Sequence, residues 1–576
     1  MDNLEIARIF SEIGDILEIK GENPFKVRAY RRVTQILESL PQDISQLYEK
    51  GKLSELPGVG ASIAEKIKEL LETGKLTYYE NLKKEIPAGL LQMLKIPGMG
   101  PKTVSLLYHK VGIDTVEKLE KAAREGKLRS LPGLGAKTEE NIIKGIQLLK
   151  GRKERIPLHE ALTIAEGIIK VLKELKEVNK ISYCGSLRRR KETIGDVDIL
   201  VTSSNPSRVM EVFTSLPQVR EVLVKGETKS SCLIGEGRQV DVRVVGEESF
   251  GAALHYFTGS KAHNIRIREL GVKKGLKINE YGVFARKKGG EERVGGEEEI
   301  DVFRSVELPF IPPELREDSG EIEAGMKGEL PSLITLQDIR GDLHIHSKWS
   351  DGANTVKELA LASRERGYEY IGICDHSQTL KVAGGVSKED FYRRIEEIRK
   401  IDSSISGIKI LAGIEVDILG DGTLDYPNEF LKELDIVIAS IHSGFKQDAK
   451  TLTMRIIKAM ENPYVHVIGH PTGRLLGERE PYPLEMEKVM QVARDTGTAL
   501  EINAFPDRMD LKDVHARMAK EMGVKLIINT DAHHLLQLDW IKYGVWVARR
   551  GWLRKQDVLN TFPFEEFYPR LREKSP

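Results

Sequence analysis

From residue 341 onward, nearly every apolar run ends in a histidine, aspartate or glutamate. His344 and His346 lie in DLHIHS, Asp351 in SDG, His376 in CDHS, Glu415 in AGIEVD, His442 in SIHS, His470 in GHPT, and Asp531 with His533 in TDAHH. Side chains two apart on a strand share a face, so the H-x-H and D-x-H pairs can each chelate one cation. Imidazoles mixed with carboxylates suit Zn2+, Mn2+ or Fe2+ better than Mg2+. Water on such an ion ionises near neutrality and becomes a nucleophile for hydrolysis. A single histidine of this kind reads better as an ordinary core or surface residue. So many of the chain's 13 at strand ends do not.

A second constellation lies upstream, in CGSLRRRKETIGDVDIL. Asp196 and Asp198 are two apart on a run read as a strand, so both carboxylates face one way. Asp241, in QVDVRVV, lies on another β run and completes a triad. Crowded carboxylates lose their charge unless a cation relieves the repulsion. Gly185, Ser186, Arg188 and Arg189 form a compact turn before them: glycine permits close backbone approach, and Ser and Arg offer donors to phosphate oxygens. Metal-binding carboxylates beside phosphate donors suit two-metal phosphoryl transfer, with Mg2+ or Mn2+ as the ion. D-x-D alone is a weak signal; G-S-x-R-R, then G-D-x-D, then V-D on a later strand is a specific one.

The N-terminal third repeats an apolar-Pro-Gly-apolar-Gly turn at Leu56–Gly60, Ile96–Gly100 and Leu131–Gly135. Gly58, Gly60, Gly98, Gly100, Gly133 and Gly135 would let backbone N–H groups approach a phosphate, with a helix N-terminus behind them. One copy is an ordinary helix–helix turn. Three copies resemble the helix-hairpin-helix motif, which grips the DNA backbone without reading sequence.

The elements that must position these residues follow from pattern. The 576 residues call for several domains. Residues 1 to about 150 read as short helices, 151–245 mix helices with alternating β runs, and seven β runs separated by helices fill the C-terminal part, an α/β barrel-like pattern whose strand ends form the catalytic rim. The 88 basic and 88 acidic residues cancel, which hides local asymmetry and does not argue against a nucleic-acid partner. The abundance of Lys and Glu hints at a heat-adapted source. Three unpatterned cysteines give no disulfide framework. No run reaches the ~18 apolar residues of a membrane span. A cytoplasmic, soluble, monomeric protein is expected.

G-S-x-R-R with G-D-x-D is similar to the nucleotidyltransferase superfamily. The segment Tyr256-Phe-Thr-Gly-Ser260 followed by HNIRIRELGVKKGLKINEYGVF narrows the resemblance to family X DNA polymerases, the group that contains polymerase beta. The resemblance implies that Asp196 and Asp198 bind both metals and Asp241 the catalytic one. It implies that Ser186, Arg189 and Gly195 hold the triphosphate. Tyr256, Phe257 and Gly259 would lie against the sugar and disfavour a 2′-hydroxyl, Asn264 would contact the base edge, and Arg268 the template side. In members with lyase activity a Schiff-base lysine matches Lys66, and Tyr30 also matches a family position. Ser62 and Phe25 depart from the pattern, where the eukaryotic relative has a second lysine and a phosphate-binding histidine, so a solvated helix-face lysine is the equal reading of Lys66.

The C-terminal pattern resembles the PHP domain, a distorted seven-stranded barrel that commonly holds three ions. By resemblance, one ion uses His344, His346, Glu415 and Asp531. Glu415 bridges to a second on His442 and His470, and Asp351, His376 and His533 hold the third. The expected layout is an N-terminal helical, lyase-like DNA-binding domain at 1–83, helix-hairpin-helix fingers at 84–150, an α+β palm at 151–245, a thumb at 246–317, a linker at 318–338, and a (βα)7 PHP domain at 339–576. The implied activity is template-directed gap filling in base excision repair on gapped or primed duplex DNA with dNTPs. It is joined to 3′–5′ exonuclease or 3′-end cleaning, with cleavage at abasic sites as an extension. The rival readings are a PHP domain acting as a small-molecule phosphatase, a non-catalytic DNA-binding scaffold, and a template-independent nucleotidyltransferase.

Overall fold

The computed structural model describes residues 3–573, apart from 41–43, 57–58, 95, 97–98, 136–137, 141, 144, 147–154, 236 and 288–289. These residues divide into two compact units: 1–155, 165–184 and 195–254 in the first, and 156–164, 185–194 and 255–576 in the second. Residues 185–194, expected within the palm, thus belong to the unit that carries the C-terminal domain.

The first unit opens with helices. Helix Asn3–Ile19 buries Ile6, Phe10, Ile13 and Leu17, one stripe at helical spacing, against Val27 and Val33 of helix Pro24–Ser39 and Val104 and Leu107 of helix Pro101–Val111. Two of the repeated glycine turns open described helices. Gly60 caps helix Ala61–Thr73 and Gly100 caps Pro101–Val111, where Pro101 occupies the first helical position. The same backbone bond closes each turn: Val59 N–H to Leu56 O, Met99 N–H to Ile96 O and Leu134 N–H to Leu131 O, all at 3.0 Å. The unit also holds a five-stranded sheet ordered Val178–Tyr183, Val197–Ser203, Arg238–Val245, Lys229–Ile234, Val219–Lys225. Its central pair, Val197–Ser203 and Arg238–Val245, is parallel and the other pairs are antiparallel.

In the second unit, helix Lys261–Lys273 precedes a three-stranded antiparallel sheet, Leu276–Asn279, Gly282–Lys287 and Gly290–Gly295. Beyond it, seven parallel strands follow in chain order: Gly341–Ile345, Tyr370–Ile373, Lys409–Asp417, Ile436–Ser440, Val467–Ile468, Ala499–Asn503 and Leu526–Asn529. The first and last edges approach each other just past their strand ends, where Ile345 pairs with Ala532 and His346 N–H donates to Ala532 O at 2.8 Å, so the barrel nearly closes. Helix Phe564–Arg572 covers one end, stacking Phe567 on Tyr370 at 4.5 Å between ring centroids.

The stretch expected to be a linker is folded. It carries helix Glu321–Lys327, and Glu321 is fully buried, accepting the backbone N–H groups of Asp318 and Ser319 and facing His263 at 2.7 Å. Its acidic, glycine-rich composition reflects carboxylates engaged in internal pairs rather than a solvated tether.

Candidate active sites

The parallel register of Val197–Ser203 with Arg238–Val245 makes Asp198 and Asp241 direct neighbours on one face. Asp196 stands in the turn just before the first of these strands, not on it as the alternation predicted, and is exposed. Asp198 is pushed up to about 8, chiefly by burial and then by the charges of Asp196 and Asp241, with Lys229 and Arg243 opposing. Lys229 Nζ lies 3.4 Å from Asp241, which also accepts from Gln239 Nε2 at 3.0 Å. A shared proton or a divalent cation is what such a group of carboxylates demands, and the donor set is all oxygen.

Of the residues the sequence reading assigned to the nucleotide, Gly195 lies in the first unit and the others in the second. Gly185 has φ of 60° and starts the short helix Gly185–Arg188, whose turn closes with Lys191 N–H on Ser186 O at 3.0 Å. Arg189 donates to Thr258 O and, through Nε, to Glu317 at 3.0 Å. Gly259 has φ of 73°, and a Cβ there would stand 3.0 Å from the Arg189 guanidinium, so glycine leaves that side chain its room. Tyr256 and Phe257 meet edge to face, Asn264 Nδ2 donates to Tyr256 O at 2.7 Å, and Arg268 Nε donates to Asn264 O at 3.3 Å. Arg188 differs from the phosphate-donor expectation. Its fork donates to buried Glu299 at 2.6 and 2.7 Å and to Thr258 Oγ1 at 2.7 Å.

In the C-terminal barrel the histidines and carboxylates meet at one rim. Three groups have ligand atoms within 4.8 Å of one another: His346, Asp351, His376 and His533; His344, His346 and Asp531; and His376, Glu415 and His442. His470 joins through Nε2, 3.0 Å from Glu415. The grouping differs in detail from the expected sets, because His346 faces both Asp531 and Asp351, and His376 faces both Glu415 and Asp351. His344 Nε2 and His346 Nδ1 are buried without a hydrogen-bond partner among the described residues, so the donors present fit bound divalent cations. Two of the residues sit in strained backbone, Asp531 at φ 58° and His470 at φ 27°, as functional sites often require.

Electrostatics keeps the ligand set in mixed protonation. Burial drives His346 down to about 3, reinforced by His533 and His376. Burial opposes charge on Glu415 and Asp531, yet the imidazoles around them hold both well below the usual carboxylate range. Asp351 is held down to about 2 against burial by His533, His346 and His376.

Three residues of this site went unread in the sequence. Glu501, on strand Ala499–Asn503, faces His344 Nδ1 at 2.8 Å, and Asp417 faces His442 Nδ1 at 2.5 Å, so each fixes the ring whose other nitrogen points into the cluster. Asp417 was readable as the same-face neighbour of Glu415, two residues on. Arg508 places Nε 3.5 Å from Asp531, on a loop whose carbonyls at Arg508 and Met509 accept from buried Arg474. No pattern in the sequence marks that loop.

Among the remaining predicted residues, Lys66 hydrogen-bonds Ser62 Oγ at 2.8 Å and lies 5.0 Å over the Tyr78 ring. Burial, then the charge of Lys26, lowers its pKa. Tyr30 is buried and stacks on Tyr78, while Phe25 is 74% exposed. Gly58 and Gly98 lie outside the described residues. Among the described residues, a Cβ on Gly60, Gly100, Gly133 or Gly135 would meet nothing within 4 Å. Among the described residues no helix is long and apolar enough to cross a membrane.

Comparison with known proteins joins these pieces. A helix-hairpin-helix domain matches residues 1–76, a SAM-like helix-hairpin-helix tandem 90–147, the DNA polymerase beta palm 155–241, the DNA polymerase beta thumb 253–317 and the PHP domain 342–505. The chain is 42% identical over 562 residues to the DNA polymerase/3′-5′ exonuclease PolX of Bacillus subtilis, covering 97% of each. It is 28% identical over 342 residues to DNA polymerase lambda of Rattus norvegicus, covering 55% of this chain and 56% of that one. A probable phosphatase of Thermoanaerobacter is 33% identical over 231 residues, 38% of this chain and 89% of the relative. With a palm sheet that pairs Asp198 with Asp241 and a seven-stranded barrel ringed by metal-binding side chains, the chain belongs to the family X DNA polymerases that carry a C-terminal PHP domain.

Proposed function

We propose that this polymerase fills short gaps in DNA during base excision repair, and that its PHP domain trims unpaired or blocked 3′ ends. The observation that carries the reading is the coexistence in one chain of the Asp198–Asp241 pair and the rim cluster around Glu415. Divalent cations, Mg2+ or Mn2+ at the carboxylates and up to three of Zn2+, Mn2+ or Fe2+ at the rim, would supply charge neutralisation and an activated oxygen nucleophile.

The chain's own residues do the rest. Asp196 and Asp198 would hold the cations, and Asp241 would accept the proton of a primer 3′-hydroxyl. Ser186, Gly195 and Arg189 hold the triphosphate, and Tyr256, Phe257 and Gly259 take the sugar. Gly60, Gly100 and Gly135 present backbone donors to the duplex phosphates. At the rim, Glu501 and Asp417 orient His344 and His442, and Arg508 offers its guanidinium to the scissile phosphate. An arginine beside a cation-filled site is repelled unless an anion joins it, which favours a phosphate ester as substrate.

The likeness of the barrel to a probable phosphatase supports a second reading, in which the PHP domain hydrolyses small phosphomonoesters. A gapped duplex with a 3′-mismatched primer separates the two. Release of nucleotide followed by gap filling supports the first; phosphate release from small phosphomonoesters without nucleotide release supports the second.

A further inference from the structure

Helix Ile541–Arg550 of the C-terminal domain packs directly on the turn that carries Arg189 and Arg190. Arg550 donates through Nη1 to the carbonyl of Arg189 at 2.8 Å and to Glu317 Oε1 at 3.1 Å. The same Glu317 oxygen accepts from Arg189 Nε at 3.0 Å and stands 3.8 Å from Lys191 Nζ. Arg550 is anchored in turn by Asp513 at 2.6 Å. One turn earlier on the helix, the Trp546 ring receives the Arg190 guanidinium at 4.0 Å, and Glu192 pairs with Arg474 of the barrel at 2.8 Å. Each of residues 189, 190 and 192 is therefore held by a C-terminal side chain.

The charges in this knot do not balance. Arg189, Lys191 and Arg550 surround Glu317 and Asp513, which leaves one positive charge in surplus. Glu317 is partly buried, and burial works against its charge, yet Lys191, Arg189 and Arg550 hold it down to about 2. Stranding a carboxylate that is largely shielded from water is costly, so a lone Glu317–Arg189 pair would resist being opened. Because Arg550 also neutralises Glu317, Arg189 can leave without stranding it.

We propose that Arg550 is a positioning residue of the polymerase: it keeps Glu317 compensated while Arg189 turns from Glu317 to the incoming triphosphate. The PHP domain is then a structural part of the nucleotide site as well as a hydrolase. This rests on the reading of Arg189 as a triphosphate contact.

The test is single-nucleotide gap filling by the full chain, with KM for dNTP and kcat measured separately. Arg550→Met removes the second cation, so KM for dNTP rises about tenfold with kcat within about twofold, the signature of lost ground-state and transition-state binding alike. Arg550→Met with Glu317→Gln removes the carboxylate that would trap Arg189, and KM returns to within about twofold of wild type. A single variant with unchanged KM, or a double variant no better than the single, overturns the proposal. Should Arg550→Met fail to melt cooperatively, Glu317→Gln alone decides: release of Arg189 leaves KM equal or lower, whereas a rise of about tenfold overturns the proposal. Arg189→Ala separates the two layers. If it leaves KM unchanged, the triphosphate reading itself fails; if it raises KM while Arg550→Met behaves as wild type, only the positioning role fails.

Discussion

Asp198 and Asp241 stand opposite each other on adjacent parallel strands, and 42 intervening residues, including two further strands of the sheet, lie between them in the chain. This register brings together carboxylates from two distant segments. Asp241→Ala is expected to reduce nucleotide addition by roughly a thousandfold or more, because charge stabilisation at the reacting phosphate is lost. Affinity for gapped DNA, measured by fluorescence anisotropy, is expected to change less than about threefold, since duplex grip comes from backbone phosphate contacts elsewhere. Robust synthesis by the variant would remove Asp241 from the chemistry.

The rim cluster makes the reciprocal prediction. His344→Ala with His346→Ala is expected to abolish release of 3′ nucleotides and to leave gap filling within about twofold, because sites that share no partners behave additively. Degradation of a 3′-mismatched primer by the double variant would contradict the assignment.

Glu501 acts on that cluster only through His344. Glu501→Gln keeps the shape but weakens the acceptor that fixes the ring, so nuclease activity or metal affinity should fall about 10–100-fold, the usual cost of losing such a partner. Titrating divalent metal against the variant locates the loss: a raised metal requirement is expected, and an unchanged one would mean that Glu501 does not support the site.

Acid stability depends on Glu299. Its carboxylate is bound by Arg188 and by Arg316 at 2.6 Å, and these charges hold it down to about 2 against burial. A folded-state pKa below the unfolded one means stability that is full above the unfolded value, near 4.5, and lost as pH falls towards 2. The contribution is on the order of 3 kcal/mol. Glu299→Gln should therefore melt lower at neutral pH and lose less stability between pH 5 and pH 3, by urea titration, than the native chain. Parallel pH profiles for the two would show that the carboxylate is not the group responsible.

Much of this was legible before any coordinates. Local physics writes itself into spacing: alternation placed Asp198 and Asp241 on strands, the repeated Pro-Gly turns marked helix starts at Gly60 and Gly100, and histidines closing β runs marked the barrel rim. Those signals survive because each depends on residues close together in the chain. The folded state of 318–338 was not legible, since composition does not reveal that Glu321 turns inward towards His263. Neither was the use of Arg188, whose partner Glu299 lies 111 residues away.

Residue type and spacing alone thus determined which chemistry the chain is equipped for, and on which elements its agents stand. Only the tertiary structure decided which agents touch: that His346 and His376 each serve two ligand groups, that Arg508 reaches Asp531, and that Arg550 closes on the Arg189 turn. The reason is that pairing between distant segments is set by packing and by the need to compensate every buried charge, a condition on the whole fold that no short window of sequence contains.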